Sequence, residues 1–173
     1  MKKRLLILSD LWGFTQAKYL EAYREQLESA YEVQPYDCCL LAELPQGQKT
    51  QEQRHQHFVT GGIQKAVDAL INAEWKRVDV LAFSVGGTIA WRAALAGMPV
   101  DRLFAIAATR LRYEERRPTS ELQLWYGAFD PYQPNAEWYE KMQLSAHQWP
   151  GHGHDIYKDP SVIEAICQEL LIS

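Results

Sequence analysis

The stretch Val80-Leu81-Ala82-Phe83-Ser84-Val85-Gly86-Gly87 joins an apolar strand directly to a small-residue turn and then to a helical pattern. A serine at this junction lies on a tight strand-to-helix turn, at the carboxyl end of a strand. Small residues are needed two positions before and after it, because the strand and helix backbones nearly touch there. Ala82 and Gly86 occupy those two positions. The alternative interpretation is a serine that caps the helix, with glycines that only permit close packing.

Two loops further along the chain carry the residue types that a serine nucleophile requires. The apolar strand Leu122–Tyr126 is followed by Asp130, and a Gly-His-Gly-His run ends at His154. A serine hydroxyl is a weak nucleophile until a base takes its proton, and histidine can take it near neutral pH. A carboxylate then orients the imidazole and stabilises the imidazolium that forms. Ser84, Asp130 and His154 are therefore the candidate catalytic residues.

The segment around Ser84 resembles the nucleophile elbow of the α/β-hydrolase superfamily, where the pattern is usually Gly-x-Ser-x-Gly. Alanine stands here in place of the first glycine, and its methyl group still fits the turn. The order serine, acid, histidine is also that of the family, and the resemblance covers nearly the whole chain. It implies a serine hydrolase that cleaves a carboxylic ester or thioester through an acyl-enzyme, without metal or organic cofactor.

Two histidines compete for the role of base, because His152 and His154 both follow a glycine. We prefer His154, since Asp155-Ile156 after it resembles the family pattern. His152 is then a polar loop residue. Asp155 is a rival to Asp130 as the acid, but its adjacency to His154 makes the two side chains diverge.

His55 and His57 lie in a glutamine-rich helical stretch, for which a solvated face is the better explanation.

The resemblance further implies an oxyanion hole, a pair of N–H donors aimed at developing negative charge. The backbone amides of Val85 and Trp12 are the expected donors. The family often has His-Gly before the second donor, and this chain has Asp10-Leu11 instead. Trp12 is equally well explained as a core aromatic. The missing His-Gly pair supports an alternative function, a catalytically inactive binding protein that retains the fold.

Short apolar runs alternate with longer helical patterns along the chain. The candidate strands are Leu5–Leu8, Tyr31–Tyr36, Val78–Phe83, Leu103–Ala108, Leu122–Tyr126 and Leu144–Trp149. Helical spacing occupies residues 16–29, 86–96 and 135–143, a stretch from Gly62, and a last helix capped by Ser161, whereas residues 38–60 are the least regular. This alternation predicts one α/β domain over residues 1–173, a three-layer α/β/α sandwich with a doubly wound, mostly parallel sheet of about six strands.

Residues 109–121 are all that separates two of these strands, at the point where the superfamily commonly inserts a cap domain. We therefore expect no cap and an open site. The loop from Arg110 to Glu121 carries four arginines against three glutamates. One interpretation is recognition of an anionic substrate or carrier. The balanced charges favour the other interpretation, a solvated loop.

The charge, hydropathy and cysteine content of the chain exclude some classes of binding partner. The net charge of -4 and the pI of about 5.7 argue against binding to nucleic acid through phosphate contacts. No segment of the sequence reaches the roughly 18 apolar residues of a membrane span. Cys38, Cys39 and Cys167 form no CxxC pair, which favours a reducing cytoplasm over a disulfide framework or zinc site. A small-molecule ester or thioester is the expected partner, and the oligomeric state stays open.

Overall fold

The computed structural model describes residues 1–172, and its six strands form one sheet. The strands are β1 (Lys3–Leu8), β2 (Tyr31–Tyr36), β3 (Val78–Phe83), β4 (Val100–Ile106), β5 (Glu121–Gly127) and β6 (Ala146–Trp149). They pair in the order β2-β1-β3-β4-β5-β6, and every neighbouring pair is parallel. The chain reverses its direction of winding between β1 and β3. Doubly wound sheets bind ligands in the crevice outside the carboxyl ends of such strands.

Helices cover both faces of the sheet, as the predicted three-layer sandwich requires. They are α1 (Lys18–Leu27), α2 (Cys38–Leu41), α3 (Gln51–His57), α4 (Ile63–Ala73), α5 (Val85–Leu95), α6 (Ala136–Met142) and α7 (Pro160–Leu171). Apolar residues of α1 and α7 pack on one face, and those of α4, α5 and α6 pack on the other. All six residues of β3 are buried, which explains why the strand is apolar except for Asp79, a carboxylate paired with Arg102. The expected fold class is confirmed.

The stretch 38–60, expected to be irregular, contains two short helices with side-chain caps. The Asp37 carboxylate accepts hydrogen bonds from the amides of Cys39 and Leu40 at the start of α2. Thr50 and Gln53 form a reciprocal capping box at the start of α3. Helices of this length show too little apolar periodicity to be predicted from spacing, and local capping determines where they begin.

Several element boundaries differ from the prediction by one to three residues, and two of these differences have a clear local cause. Asp159, not Ser161, caps α7, because its carboxylate accepts from the amides of Ser161 and Val162 while Pro160 takes the first helical position. Strand β4 ends at Ile106 rather than at Ala108, because Ala107 has a φ of 50°, which a strand does not accommodate.

The connection between β4 and β5 holds only a single 3₁₀ turn, Leu111–Tyr113, and no cap domain covers the carboxyl edge of the sheet in residues 1–172. In the same range, no helix combines the length and the apolar character that crossing a bilayer requires.

Candidate active site

Ser84 lies at the junction between β3 and α5, in a backbone conformation that a residue with a side chain rarely adopts. Its φ is 53° and its ψ is -119°, and the residue is 1% exposed. The side chain makes no capping hydrogen bond to α5. The structure therefore contradicts the alternative interpretation of Ser84 as a helix-capping serine. A strained turn of this kind is typical of a functional site.

Gly86 shows why the turn needs small residues. A Cβ atom at this position would lie 2.5 Å from the carbonyl oxygen of Ser9 and 3.0 Å from that of Leu8. Both oxygens belong to the backbone of β1 or the residue after it, so neither can move aside cheaply. Glycine at position 86 lets α5 start against the end of β1, which brings Ser84 to the edge of the sheet.

The hydroxyl of Ser84 contacts a histidine from the far end of the chain. Its Oγ lies 3.0 Å from Nε2 of His154, and Nδ1 of His154 lies 2.9 Å from Oδ2 of Asp130. Since an ionised carboxylate can only accept, this contact assigns the proton to Nδ1 and leaves Nε2 free to accept from the serine. The sequence placed these three residues on separate loops, and the fold brings them into one hydrogen-bonded chain.

The acid is fixed on both of its oxygens. The Asp130 side chain is buried, and its Oδ1 accepts from the backbone amide of Tyr132 at 2.8 Å while Oδ2 faces His154. A carboxylate held in this way can orient the imidazole without rotating. Gly127 brings the loops together, because a Cβ there would lie 2.2 Å from the Gly153 carbonyl oxygen.

Solved structures provide a comparison for this arrangement. The chain superimposes on a predicted CIB-like hydrolase from Thermoplasma acidophilum with a TM-score of 0.72 and 17% identity, covering 98% of this chain and 86% of that one. Alpha/beta hydrolase domain-containing protein 10 from mouse gives 0.72 and 13% identity, with coverages of 97% and 87%. A monoacylglycerol lipase from Paleococcus ferrophilus gives 0.66 and 11%, with coverages of 98% and 94%.

The chain has the α/β-hydrolase fold. The sequence matches no protein-family model and no curated protein, so the likeness lies in the structure. In this fold the nucleophile, acid and base follow different strands and meet at the carboxyl edge of the sheet. Ser84, Asp130 and His154 follow β3, β5 and β6 respectively and meet at that edge.

His152 lies in the same loop as His154 but has other partners. Its Nε2 lies 2.9 Å from Oδ2 of Asp159, the capping residue of α7, and its Nδ1 lies 2.9 Å from the Pro150 carbonyl oxygen. These contacts raise the pKa of His152 above its ordinary value. Asp155 is exposed and its carboxylate lies 3.7 Å from Nζ of Lys158.

The loop after β1 departs from the expectation for Trp12. The Trp12 amide donates to Oδ1 of Asp10 at 2.9 Å, so this N–H is already engaged. Asp10 is 1% exposed, and its Oδ2 accepts from the Tyr157 hydroxyl at 2.9 Å. Burial raises the pKa of Asp10, although these hydrogen bonds act in the opposite direction. The neighbouring amide, that of Leu11, donates to no protein acceptor within residues 1–172.

The sequence did not predict the two residues, Cys39 and Arg54, that fix the loop after β1 by hydrogen bonds. The Leu11 carbonyl oxygen accepts from Sγ of Cys39 at 3.1 Å and from Nη1 of Arg54 at 3.3 Å. Burial raises the pKa of the Cys39 thiol to about 11, so the thiol remains a donor near neutral pH. The Arg54 guanidinium lies 5.0 Å from the centre of the Trp12 ring, and its Nε is buried without a partner in residues 1–172.

The two histidines of α3 differ from each other. His55 is exposed, as expected for a solvated face, and it also lines the cleft described below. The expectation for His57 is wrong: the ring is half-buried, and its Nε2 lies 2.7 Å from the Ala42 carbonyl oxygen. No property of the local sequence indicates that contact, because it depends on how α3 packs beside α2.

A cleft of about 930 Å³ opens beside Ser84 and His154. Its walls are the loop after β1, the exposed side of α3, the loop after β4 and the two loops that carry Asp130 and His154. Both polar and apolar side chains line it. Within residues 1–172, no cluster of three or more His, Cys, Asp or Glu side chains is arranged to hold a metal ion.

Proposed function

We propose that this protein is a serine hydrolase that cleaves a carboxylic ester or thioester of a small molecule. The observation that carries the proposal is the chain of two contacts, 3.0 Å from Ser84 Oγ to His154 Nε2 and 2.9 Å from His154 Nδ1 to Asp130 Oδ2. They occur on a strained turn at the mouth of a cleft. This geometry fits a nucleophile, its base and the residue that orients the base.

In the acylation step, Ser84 Oγ attacks the substrate carbonyl carbon while its proton moves to His154 Nε2. The carbonyl carbon then releases its alcohol or thiol, which takes that proton from His154, and an acyl-serine remains. A water molecule attacks the acyl-serine, His154 accepts the water proton and returns it to Ser84, and the acid leaves. Asp130 stabilises the imidazolium in both halves of the reaction. These steps require no metal or organic cofactor.

The oxyanion that forms in each half needs N–H donors. We retain Val85, the first residue of α5, as one donor. Because the Trp12 amide is engaged with Asp10, we propose the Leu11 amide as the second donor in its place. Leu11 lines the same cleft as Ser84, and Cys39 and Arg54 fix its carbonyl group.

Proteins with similar structures support the general reaction class. They include a monoacylglycerol lipase and a protein from metagenomic libraries described as a dienelactone hydrolase-like promiscuous phosphotriesterase. Their identity to this chain is 11% and 14%, so they support hydrolysis in general and leave the substrate undetermined.

One observation favours a second candidate, the inactive binding protein. The Trp12 amide, which was expected to be the oxyanion donor from the loop after β1, donates to Asp10 instead. A hydrolase with Val85 as its only oxyanion donor would lose much of its transition-state stabilisation. The two candidates differ in one property, namely turnover of an activated ester.

The test is steady-state hydrolysis of para-nitrophenyl acetate by wild type, Ser84→Ala, His154→Ala and His152→Ala. We expect turnover in wild type, and a loss of about a thousandfold or more in the first two variants. His152→Ala is the matched control from the same loop and keeps most of the activity. Turnover that survives Ser84→Ala, or a folded wild type without turnover, would overturn the proposal, and the latter would favour the binding protein.

A further inference from the structure

Arg110 lines the cleft and is fixed to the nucleophile turn through its backbone. The Arg110 amide donates to Oγ1 of Thr88, in the first turn of α5, at 3.3 Å. The preceding amide, that of Thr109, donates to the carbonyl oxygen of Ser84 at 3.4 Å. The base of the Arg110 side chain therefore has a defined position relative to Ser84, unlike an arginine in a freely solvated loop.

A second arginine, Arg112, lies near His154, the candidate catalytic base. Its Nη1 donates to the carbonyl oxygens of Thr109 and Tyr132. The Arg112 guanidinium lies 5.6 Å from the centre of the Tyr132 ring, and that ring lies 5.1 Å from the centre of the His154 ring. The two arginines thus approach the candidate triad from the serine side and from the histidine side.

Neither positive charge is neutralised by the protein. Glu114, a half-buried glutamate of the same loop, forms an ion pair with Arg92 instead, with 2.6 Å between its Oε1 and Nε of Arg92. Within residues 1–172, neither Arg110 nor Arg112 forms an ion pair with a carboxylate, and the Arg110 guanidinium donates no hydrogen bond to the protein. The near balance of charges in the sequence of this loop therefore does not hold on the side of the folded loop that faces the cleft.

The arginines share an aromatic support. The Tyr113 ring centre lies 4.7 Å from Cζ of Arg110 and 4.5 Å from Cζ of Arg112. Stacking on a ring restrains a guanidinium while its N–H groups stay available at the edge, the geometry in which arginine binds carboxylates. Two acids, Glu52 and Asp155, also line the cleft. Asp155 pairs with Lys158, and Glu52, on α3, forms no ion pair with either arginine within residues 1–172.

We propose that Arg110, assisted by the neighbouring charge of Arg112, binds a carboxylate carried by the ester substrate. This inference rests on the proposed function and assigns its substrate class: an anionic ester, with the carboxylate on the acyl or the alcohol portion. Two unpaired guanidiniums beside the reacting groups favour such a substrate over its neutral counterpart by direct charge-assisted hydrogen bonding. The preference weakens as salt concentration rises.

The test compares matched anionic and neutral esters. On the acyl side, the mono-para-nitrophenyl esters of glutarate, adipate and pimelate are paired with para-nitrophenyl pentanoate, hexanoate and heptanoate. On the alcohol side, meta-acetoxybenzoate is paired with its methyl ester. The measured quantity is the ratio of kcat/KM for the anionic ester to kcat/KM for the neutral one, in wild type, Arg110→Gln and Arg116→Gln. The rate of Ser84→Ala is subtracted in each case, so that only Ser84-dependent hydrolysis is compared. Arg116 is an exposed arginine of the same loop that does not line the cleft.

We expect the wild-type ratio to exceed one for at least one pair of esters. Whether that pair carries its carboxylate on the acyl side or on the alcohol side identifies the part of the substrate that Arg110 binds. Arg110→Gln lowers that ratio by about tenfold to a hundredfold, and Arg116→Gln leaves it unchanged. Ser84-dependent hydrolysis with equal or lower rates for every anionic ester would overturn the inference and leave the proposed function standing. An equal fall in the ratio for Arg116→Gln would also overturn it, since the effect would then reflect net charge. Absence of Ser84-dependent hydrolysis of either kind would overturn both.

Discussion

At the scale of single residues, the candidate site depends on the unusual backbone conformation of Ser84 and on the hydrogen bonds that maintain it. Ser84 holds a left-handed conformation that costs a residue with a Cβ roughly 1–3 kcal/mol. Its neighbours maintain it: the Ser84 amide donates to the Ile106 carbonyl oxygen at 2.9 Å, and the Gly87 amide donates to the Ser84 carbonyl oxygen at 3.0 Å. The turn is therefore held from β4 as well as from α5.

Replacing Gly86 by alanine tests how closely this turn approaches β1. The added Cβ would meet the Ser9 carbonyl oxygen at 2.5 Å, and we expect the free energy of unfolding to fall by about 1–3 kcal/mol. Denaturant unfolding measures the change. Gly153→Ala is the control, because a Cβ there meets nothing within 4 Å. Equal stabilities of the two variants would show that α5 does not start against β1.

Replacing Arg54 by methionine separates positioning of the loop after β1 from stability. The variant removes one donor to the Leu11 carbonyl and also removes a buried cation that has no carboxylate partner in residues 1–172. We expect turnover of para-nitrophenyl acetate to fall by roughly tenfold or more, because the proposed donor loop loses its support. Thermal stability should stay constant or rise, since an apolar residue removes the cost of burying the charge.

Arg24→Met, at an exposed position of α1, is the matched control and should change neither quantity. A lower melting temperature of Arg54→Met with normal turnover of the folded enzyme would contradict the positioning role.

The roles of single residues were predictable where a motif carries them and not where packing decides. The elbow pattern and the chain order were enough to propose Ser84, Asp130 and His154. The buried position of Arg54 was not predictable, because a charged residue in a glutamine-rich stretch is normally solvated. The hydrogen bond from the Trp12 amide to Asp10 was not predictable either, because it depends on the orientation of the buried Asp10 side chain.

At the scale of elements, the strands were predictable and the short helices were not. Strand β3 has the expected bounds because, apart from Asp79, it is an apolar run buried on both faces. Strand β2 is mostly half-buried and also has the expected bounds, because Asp37 directly after it caps α2. Helices α2 and α3 span 4 and 7 residues and are defined by their caps. The start of α7 also depends on a cap, Asp159, which links that helix to the loop of the candidate base.

The pairing of His152 with Asp159 predicts a pH-dependent contribution to stability. The pKa of His152 is raised above 6.5 by its hydrogen bonds to Pro150 and Asp159, so its contribution is complete below 6.5 and is lost as pH rises through the raised pKa. The pKa of Asp159 is lowered below 3.8, first by His152, so its contribution is present above 3.8 and is lost as pH falls through the lowered pKa.

We therefore expect the difference in melting temperature between wild type and His152→Asn to be largest between pH 3.8 and pH 6.5 and to shrink at higher pH. His147→Asn serves as the control, because His147 is exposed and bonds to the neutral Gln123. A difference for His152→Asn that stays constant from about pH 5 to about pH 9, the range over which histidine titrates, would contradict the ion pair.

At the scale of the whole molecule, the sheet order creates the cleft and the absence of a cap leaves it open. Alternating strand and helix patterns predicted the doubly wound sheet, and its winding reverses between β1 and β3. The loop after β1 and the turn at Ser84 are therefore neighbours although they are far apart in sequence. The wall formed by α3 was not predicted, because its position depends on packing against the end of α2, where His57 contacts the Ala42 carbonyl oxygen.

The open cleft predicts how the rate responds to substrate aggregation. No cap domain covers the site in residues 1–172, so no lid has to open at an oil–water interface. Hydrolysis of para-nitrophenyl butyrate should follow a simple saturation curve through the solubility limit of the ester. A sharp increase in rate above that limit, in the absence of detergent, would show interfacial activation and contradict an open site.

The central claim is that Ser84 is a nucleophile activated by His154, and covalent labelling with a fluorophosphonate tests it most directly. The phosphorus of this reagent reacts with an activated serine and releases fluoride. We expect intact-protein mass spectrometry to show a single adduct, mapped to the peptide that contains Ser84, and no adduct in Ser84→Ala or His154→Ala under the same conditions. No adduct on folded wild type, or an adduct on another residue, would contradict the account.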